Sequence, residues 1–459
     1  MSNPGDADAT PIASVRQLAD YIAAGCKPQS EYRIGTEHEK FGFDADLHPP
    51  AYEPHGIRAV LEGMAAAAPD GWAAILDRGA PIGLRGQGPH RSASVSLEPA
   101  GQFELSGGLL ADLHATQDEF AAHFAAVRMV AGPLGIGFAP LGHHPTHPRA
   151  DMPWMPKGRY AIMRRYMPLV GTMGLDMMQR TCTVQVNLDY SSEADMARKL
   201  RVSLALQPVA TALFANSPFV DGRPSGFLSS RARVWTDTDN ARAGMPEAMF
   251  NEDFGFERYV EWLIDVPMYF VERDGTYQDV AGASFRDYMA GRHPEIGDGR
   301  ATMGDFADHM TTVFTDVRLK RFLEMRGADA GRPDMMLAQS ALWVGLLYDD
   351  AALSAADALV RRYPWDAYRA VRAEVPRAAL DAAWAGGTVR DLARDMVAIA
   401  RDGLRARARR DALGRDESGY LAPLEPLVRG APTQAEYWLS RYHGPWQGDA
   451  SRIFAEAAV

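Results

Sequence analysis

The chain has 459 residues, 47% hydrophobic and 23% charged, enough apolar content for one large folded domain or two modest ones and too much for a disordered chain. Its 48 Lys and Arg against 59 Asp and Glu leave a net charge of -11, which argues against a general nucleic-acid binder and against a surface drawn to anionic membranes. The closest approach to an apolar span, Leu204 to Leu213, is broken by Gln207 and Pro208 and falls short of the roughly 18 to 20 residues a membrane helix needs.

The N-terminus carries Asp6 and Asp8 but no basic segment leading into an apolar one, so neither a secretory signal nor an Arg-rich transit peptide is expected. The reading is a cytoplasmic protein with a disordered start over residues 1–12. Two cysteines, Cys26 and Cys182, are too few for a disulfide scaffold and lack zinc-site spacing, so both read as reduced thiols.

Helical apolar spacing runs over 14–24, and a strand follows at about 32–43. In that strand Glu37 and Glu39 lie two residues apart and share a face, where a buried pair of like charges either shifts its pKa or recruits a cation. A second helix is expected at 55–68, and the glycines of 83–88 read as a loop, because the dinucleotide fingerprint is incomplete and no helix clearly follows. Around 93–106, Pro99-Ala100-Gly101 punctuates a strand region, so a hairpin would bring Glu98 and Glu104 to one face. A longer helix follows at 109–131 with Leu113, Phe120, Phe124 and Val127.

His143, His144 and His147 are interrupted by Pro145 and lack helical ligand spacing, so a metal site there is disfavoured. The run 180–189 alternates cleanly, with Thr183, Gln185 and Asn187 opposite Val184, Val186 and Leu188. Ser191-Ser192-Glu193 reads as a helix start leading to Phe214. Strand parity at 229–235 places Arg231 and Arg233 together, and parity over 316–326 aligns Arg318, Lys320, Glu324 and Arg326. From about residue 334 onward, Ala, Leu and Arg at helical spacing predict a mostly helical cover on the same fold.

Taken together the elements predict an α+β architecture of strands with polar faces framed by helices. Glu37, Glu39, Glu98, Glu104 and Glu324 come from three strand regions, with Arg and Lys beside them. Hard cations such as Mg²⁺ take oxygen ligands, and in phosphoryl transfer they neutralise phosphate charge alongside cationic side chains. A Walker-type phosphate loop is absent from the sequence.

Three segments carry a resemblance. Gly35 to Phe43, Ser96 to Ser106 and Met155 to Tyr160 closely resemble glutamate-cysteine ligase of the plant and proteobacterial type, and 180–189, 213–219, 265–270 and 321–329 follow in the same order. The resemblance implies a curved antiparallel sheet flanked by helices, as in the glutamine synthetase type of catalytic domain, over a single ligase domain spanning 13–459. It also implies ATP-dependent joining of the γ-carboxylate of L-glutamate to the amine of L-cysteine through γ-glutamyl phosphate, with Mg²⁺ as cofactor and no nucleic-acid or membrane partner.

Carried over by motif, Glu37, Glu39, Glu98, Glu104 and Glu324 are the expected metal ligands. Arg326 and Glu324 are expected at the reacting phosphoryl group, and Arg326 and Lys320 at the nucleotide. Thr183, Gln185 and Asn187 are expected to shape the amino-acid pocket, and Arg231 to pair the substrate α-carboxylate, with Arg233 as the alternative. Where plant members place regulatory cysteine pairs, this chain has Gln117 and Leu337, so thiol control of that kind is not expected. A different amine acceptor, and nucleotide binding without turnover, stay open at this stage, as does the oligomeric state.

Overall fold

The computed structural model describes residues 8–273, 275–293, 296 and 300–459. Its centre is a nine-stranded sheet, antiparallel at every pairing among the described residues. The strands are β1 (Ile34–Phe43), β2 (Trp72–Asp77), β3 (Ala80–Gly86), β4 (Ser94–Leu97), β5 (Phe103–Ser106), β6 (Gly137–Ala139), β7 (Thr183–Leu188), β8 (Val317–Leu319) and β9 (Leu323–Asp329). They lie in the order β8-β9-β7-β1-β5-β4-β3-β2, with β6 added to the far end of β1, and the sheet does not close into a barrel.

The period-two pattern of each strand decides its two faces. On β7, Val184, Val186 and Leu188 enter the main core, and Thr183, Gln185 and Asn187 face the other way. On β1 the core face is polar: Thr36 hydrogen-bonds Ser340 at 2.8 Å, His38 packs on Phe120 and Phe124, and Lys40 donates to the Phe103 carbonyl at 3.1 Å. The helices α1 (Val15–Ala23), α2 (Ile57–Ala67), α3 (Leu113–Ala131), α4 (Gly158–Val170), α5 (Gly174–Arg180), α6 (Glu193–Leu213), α7 (Ser230–Val234), α8 (Pro333–Leu347) and α9 (Val389–Arg407) are those the site depends on. Ser192 caps α6 by accepting from the Asp195 amide, so the sequence-level helix start is the structural one. Among the described residues no helix is long and apolar enough to cross a membrane.

Four expectations change. The glycines of 83–88 are not a loop as a whole, because Gly83 to Gly86 are strand, paired with both β2 and β4. The single strand expected at 316–326 is a hairpin: Lys320 N–H donates to the Phe322 carbonyl at 2.8 Å, closing the turn between β8 and β9. The segment 229–235 is helical, so strand parity does not apply to it. Of the expected disordered start, residues 1–7 lie outside the described residues, and 8–12 are tied down, with Ile12 N–H donating to the Ala301 carbonyl at 2.9 Å.

Candidate active site

The polar face of the sheet gathers the acids. Glu37 pairs in register with Gln185 on β7 and Ser106 on β5, and Glu39 stands opposite Glu104, itself opposite Ser96 on β4. Residues directly opposite in an antiparallel pair share a face, so this one register aligns the acids of β1 and β5. Gly101, at φ 84, closes the turn between β4 and β5, with its N–H donating to the Glu98 carbonyl at 2.9 Å, and Glu98 is carried to the edge of the same face. That left-handed φ is the conformation glycine adopts without steric cost.

Burial dominates the electrostatics. Glu37, Glu39 and Glu104 are all nine-tenths buried or more. Desolvation, then the charges of Glu104 and Glu98, push the Glu39 carboxyl well above the usual range, while Arg231 and the Thr183 amide act against that shift. Glu37 is raised as well, first by burial and further by Glu324 and Glu104. Both carboxylates have donors: Thr183 N–H reaches Glu39 Oε2 at 2.9 Å, and Asn187 Nδ2 reaches Glu37 Oε1 at 2.7 Å. Ser96 Oγ donates to Glu104 Oε2 at 2.5 Å.

Glu324 behaves differently. Its fully buried carboxylate is paired with Arg318 at 2.6 Å, Lys320 at 2.6 Å and Arg326. Burial alone would raise its pKa; the three cations outweigh that and hold it well below the ordinary range. Arg326 sits where the β9–β7 register slips between Met325 and Ala328, and such a bulge turns a side chain away from the regular pleat. From there its guanidinium also donates to Gln185 Oε1, and its carbonyl accepts from Arg231 Nη2 at 2.8 Å.

A cleft opens on this face, bordered by Glu39, Glu98, Thr183, Gln185, Arg231 and Arg326 among the expected residues. Glu37, Glu104, Asn187, Lys320 and Glu324 are not on its lining: Glu37 stands opposite Gln185, Glu104 opposite Glu39, and Glu324 pairs with Arg318 and Arg326, all of which are, whereas Asn187 and Lys320 contact Glu37 and Glu324. Arg231 and Arg233 part company. In a helix residues two apart point about 200° away from each other. Arg231 enters the cleft, whereas Arg233 borders a separate cavity with Asp221 and Phe227.

Asp329, absent from the sequence-level candidates, fixes α7. Its buried carboxylate accepts from Ser217 Oγ at 2.6 Å, Ser229 Oγ at 2.8 Å and the Asn216 amide at 2.8 Å. Ser229 in turn caps α7, and Ser217 Oγ accepts the Arg231 amide at 3.2 Å. Arg318 and Arg159, which also border the cleft, were missed as well. Arg318 shares parity with Glu324, a signal present in the sequence; Arg159 had only its place in the Met155 to Tyr160 segment.

The acids fit a hard cation in one respect and not in another. Buried, mutually repelling carboxylates with raised pKa values are oxygen donors that a divalent ion would neutralise. Among the described residues, however, no group of three or more His, Cys, Asp and Glu side chains forms a ready-made cage, and Glu324 is committed to its three cations. Mg²⁺ is ordinarily held by one or two carboxylates plus substrate phosphates, so a full protein cage is not required of such a site. The histidines at 143–147 bind one another's backbone instead, His147 N–H donating to His144 Nδ1 at 3.2 Å.

Comparison with known proteins agrees with the geometry. The profile of glutamate-cysteine ligase family 2 (GCS2) matches residues 33–456. The chloroplastic glutamate-cysteine ligase of Medicago truncatula is 47% identical over 449 residues, 98% of this chain and 86% of that enzyme. That of Nicotiana tabacum is 48% identical over 440 residues, 96% of this chain and 82% of the other. In fold alone, the chain is similar to the glutamate-cysteine ligase of Francisella tularensis solved in complex with AMP, with a TM-score of 0.54, 11% identity, and coverage of 94% of this chain and 89% of that one. The expectation of a cytoplasmic protein is corrected here, because these plant relatives are chloroplastic enzymes. With the profile running over nearly the whole length and relatives sharing nearly half its residues, this chain belongs to glutamate-cysteine ligase family 2.

Proposed function

We propose that the cleft joins the γ-carboxylate of L-glutamate to the amine of L-cysteine at the expense of ATP, giving γ-glutamylcysteine, ADP and phosphate. The observation that carries the reading is the meeting of Glu39 of β1 and Glu98 of the β4–β5 turn with Arg231 and Arg326 in one cleft of a family 2 chain, with buried Glu104 of β5 directly opposite Glu39.

A carboxylate is a poor acyl donor because oxide is its leaving group; transfer of the γ-phosphoryl group of ATP to it supplies phosphate instead. Arg231 pairs the glutamate α-carboxylate, which a planar guanidinium can bind through two parallel hydrogen bonds. Thr183, Gln185 and Asn187 shape the pocket around the rest of that substrate. Arg326, held by Glu324 and Gln185, faces the charge that develops on the transferred group, with Lys320 and Arg318 fixing Glu324 behind it. Glu37, Glu39, Glu98 and Glu104 are the residues that would hold Mg²⁺, which when bound supplies charge neutralisation for the phosphates. The amine nitrogen then bonds to the γ-carbon and phosphate departs with the former carboxylate oxygen.

The reading is tested by ADP release with ATP, Mg²⁺ and glutamate, adding candidate amines one at a time. Strong stimulation by cysteine is expected. ATP binding without turnover under any amine would point to a nucleotide-binding protein instead.

A further inference from the structure

Arg231 of α7 enters the cleft, whereas Ser230, Arg233 and Val234 of the same helix border a second cavity, of about 810 Å³. Small-molecule sites fall in the range of about 300 to 1,000 Å³. A two-stranded hairpin, Phe219–Val220 with Arg223–Pro224, forms one rim. Its turn residues Asp221 and Gly222 both have positive φ, 51 and 77, as a two-residue type I′ turn requires, and the hairpin so closed sets Asp221 and Arg223 on the lining.

The charges on that lining do not balance. Asp176 and Asp221 are both held by the buried Arg180, at 3.1 and 2.6 Å, and Asp176 is held by Arg149 as well, at 2.7 Å. His143 adds no charge, because burial, with Arg180 beside it, brings its pKa down to about 3. Arg223 and Arg233 remain. Among the described residues neither is paired with a carboxylate, and the Arg233 guanidinium donates to Thr236 Oγ1. On a chain of net charge -11 this is a local excess of positive charge. Beside it the wall turns apolar: the Phe227 ring lies 5.9 Å from the Arg233 guanidinium, with Val220 and Val234 on the same lining. A guanidinium binds the oxygens of a carboxylate or phosphate through parallel hydrogen bonds, and an apolar wall next to it favours a ligand with a hydrocarbon body over a bare ion.

We propose that this cavity is a second ligand site, for a small organic anion whose charged group is held by Arg223 and Arg233 and whose apolar body rests on Phe227, Val220 and Val234. Carboxylates and phosphate esters share that chemistry. Methionine methyl NMR tests the site, because Met173 borders this cavity while Met163, Met177 and Met178 border the cleft. The full chain, labelled at its methionine methyls and with the Met173 signal assigned through Met173→Leu, is titrated with phenylphosphonate, phenylacetate and benzyl alcohol. At least one anion should shift the Met173 signal saturably, the tighter of the two identifying the headgroup, and the neutral alcohol should not. The Kd of that anion should rise about 10- to 100-fold in Arg233→Gln and in Arg223→Gln, the loss expected for one charged hydrogen-bonded contact. No saturable shift of Met173 with either anion, a shift confined to the cleft methionines, equal binding of benzyl alcohol, or an unchanged Kd in either folded variant would overturn the proposal. If Arg233→Gln fails to fold, the exposed Arg223 decides: a raised Kd in Arg223→Gln supports the site and an unchanged one removes it.

Discussion

Glu39 and Glu104 stand directly opposite each other on β1 and β5, both at least nine-tenths buried. Like charges in register destabilise a sheet, and here low-dielectric surroundings enlarge the effect. The proposed Mg²⁺ site accounts for this arrangement: removing either charge should ease folding and impair the proposed chemistry.

Glu39→Gln should therefore lower turnover by more than about tenfold at limiting Mg²⁺ while raising stability in Mg²⁺-free buffer by on the order of 1 kcal/mol. Gln keeps an oxygen for the Thr183 amide. The sign follows from the raised pKa of Glu39: its contribution to stability is present below about pH 4 and lost as pH rises to the folded value, so the variant's advantage grows from about pH 4 upward and is complete above the folded value. Thermal melts with and without Mg²⁺, set beside turnover, check both halves. Wild-type turnover in both Glu39→Gln and Glu37→Ala would remove the metal assignment.

Arg231→Lys should raise the glutamate KM far more than the ATP KM, with a loss of about 1.5 to 3 kcal/mol for a charged hydrogen bond. Arg233→Lys should leave both constants nearly unmoved, because Arg233 borders the cavity with Phe227 instead of the cleft. Both constants measured for both variants decide the point; a large glutamate effect confined to Arg233→Lys would reverse the roles.

Acid should weaken the fold through the core side of β1. His38 and His123 are buried with ring centroids 5.3 Å apart, neither has a hydrogen-bonded ring nitrogen, and burial, reinforced by Lys40, lowers both pKa values well below normal. Their contribution is fully present above about pH 6.5 and falls with pH below it, because the unfolded chain binds protons the native one refuses. Each contributes about 1.4 kcal/mol per pH unit in that window. Lys40, held to about 7, titrates above it. Denaturant unfolding of His123→Phe and the unmodified protein from pH 6.5 to 5 should show a shallower slope for the variant; equal slopes would contradict the account. The comparison cancels the buried His143, His144 and His309, which are lowered too.

Mild oxidant should not change activity. Burial pushes up the thiols of Cys182 and Cys26, so neither is a ready thiolate. At the positions suspected of regulatory pairing, Gln117 accepts the Tyr420 hydroxyl at 2.8 Å and Leu337 is buried in α8. Reversible inactivation by oxidant, cured by dithiothreitol and absent from Cys26→Ser or Cys182→Ser, would overturn this expectation.

Much of the site was legible where strand parity governs it. Glu37 with Glu39, and Thr183 with Gln185 and Asn187, fall on one face because the period of two is a local property of the chain. The hairpin linking Glu98 to Glu104 followed from Pro99 and Gly101. Parity misled at Arg231 and Arg233, where five residues of helix replace the strand, and at Lys320, which sits in a turn. The triple pairing of Glu324 depends on β8 folding back on β9, and the hold of Asp329 on α7 joins residues about a hundred positions apart. Which partners such contacts join is set by how the chain folds back on itself, and the period of two alone does not give it. Arg159 became visible only once the fold placed it, buried, on the border of the cleft.

The central claim is that the γ-carboxylate of glutamate is activated by phosphorylation before the amine attacks. Glutamate labelled with ¹⁸O in that carboxylate, incubated with the protein, ATP, Mg²⁺ and cysteine, should yield phosphate carrying one labelled oxygen for each peptide bond formed. Unlabelled phosphate accompanying γ-glutamylcysteine would contradict the account.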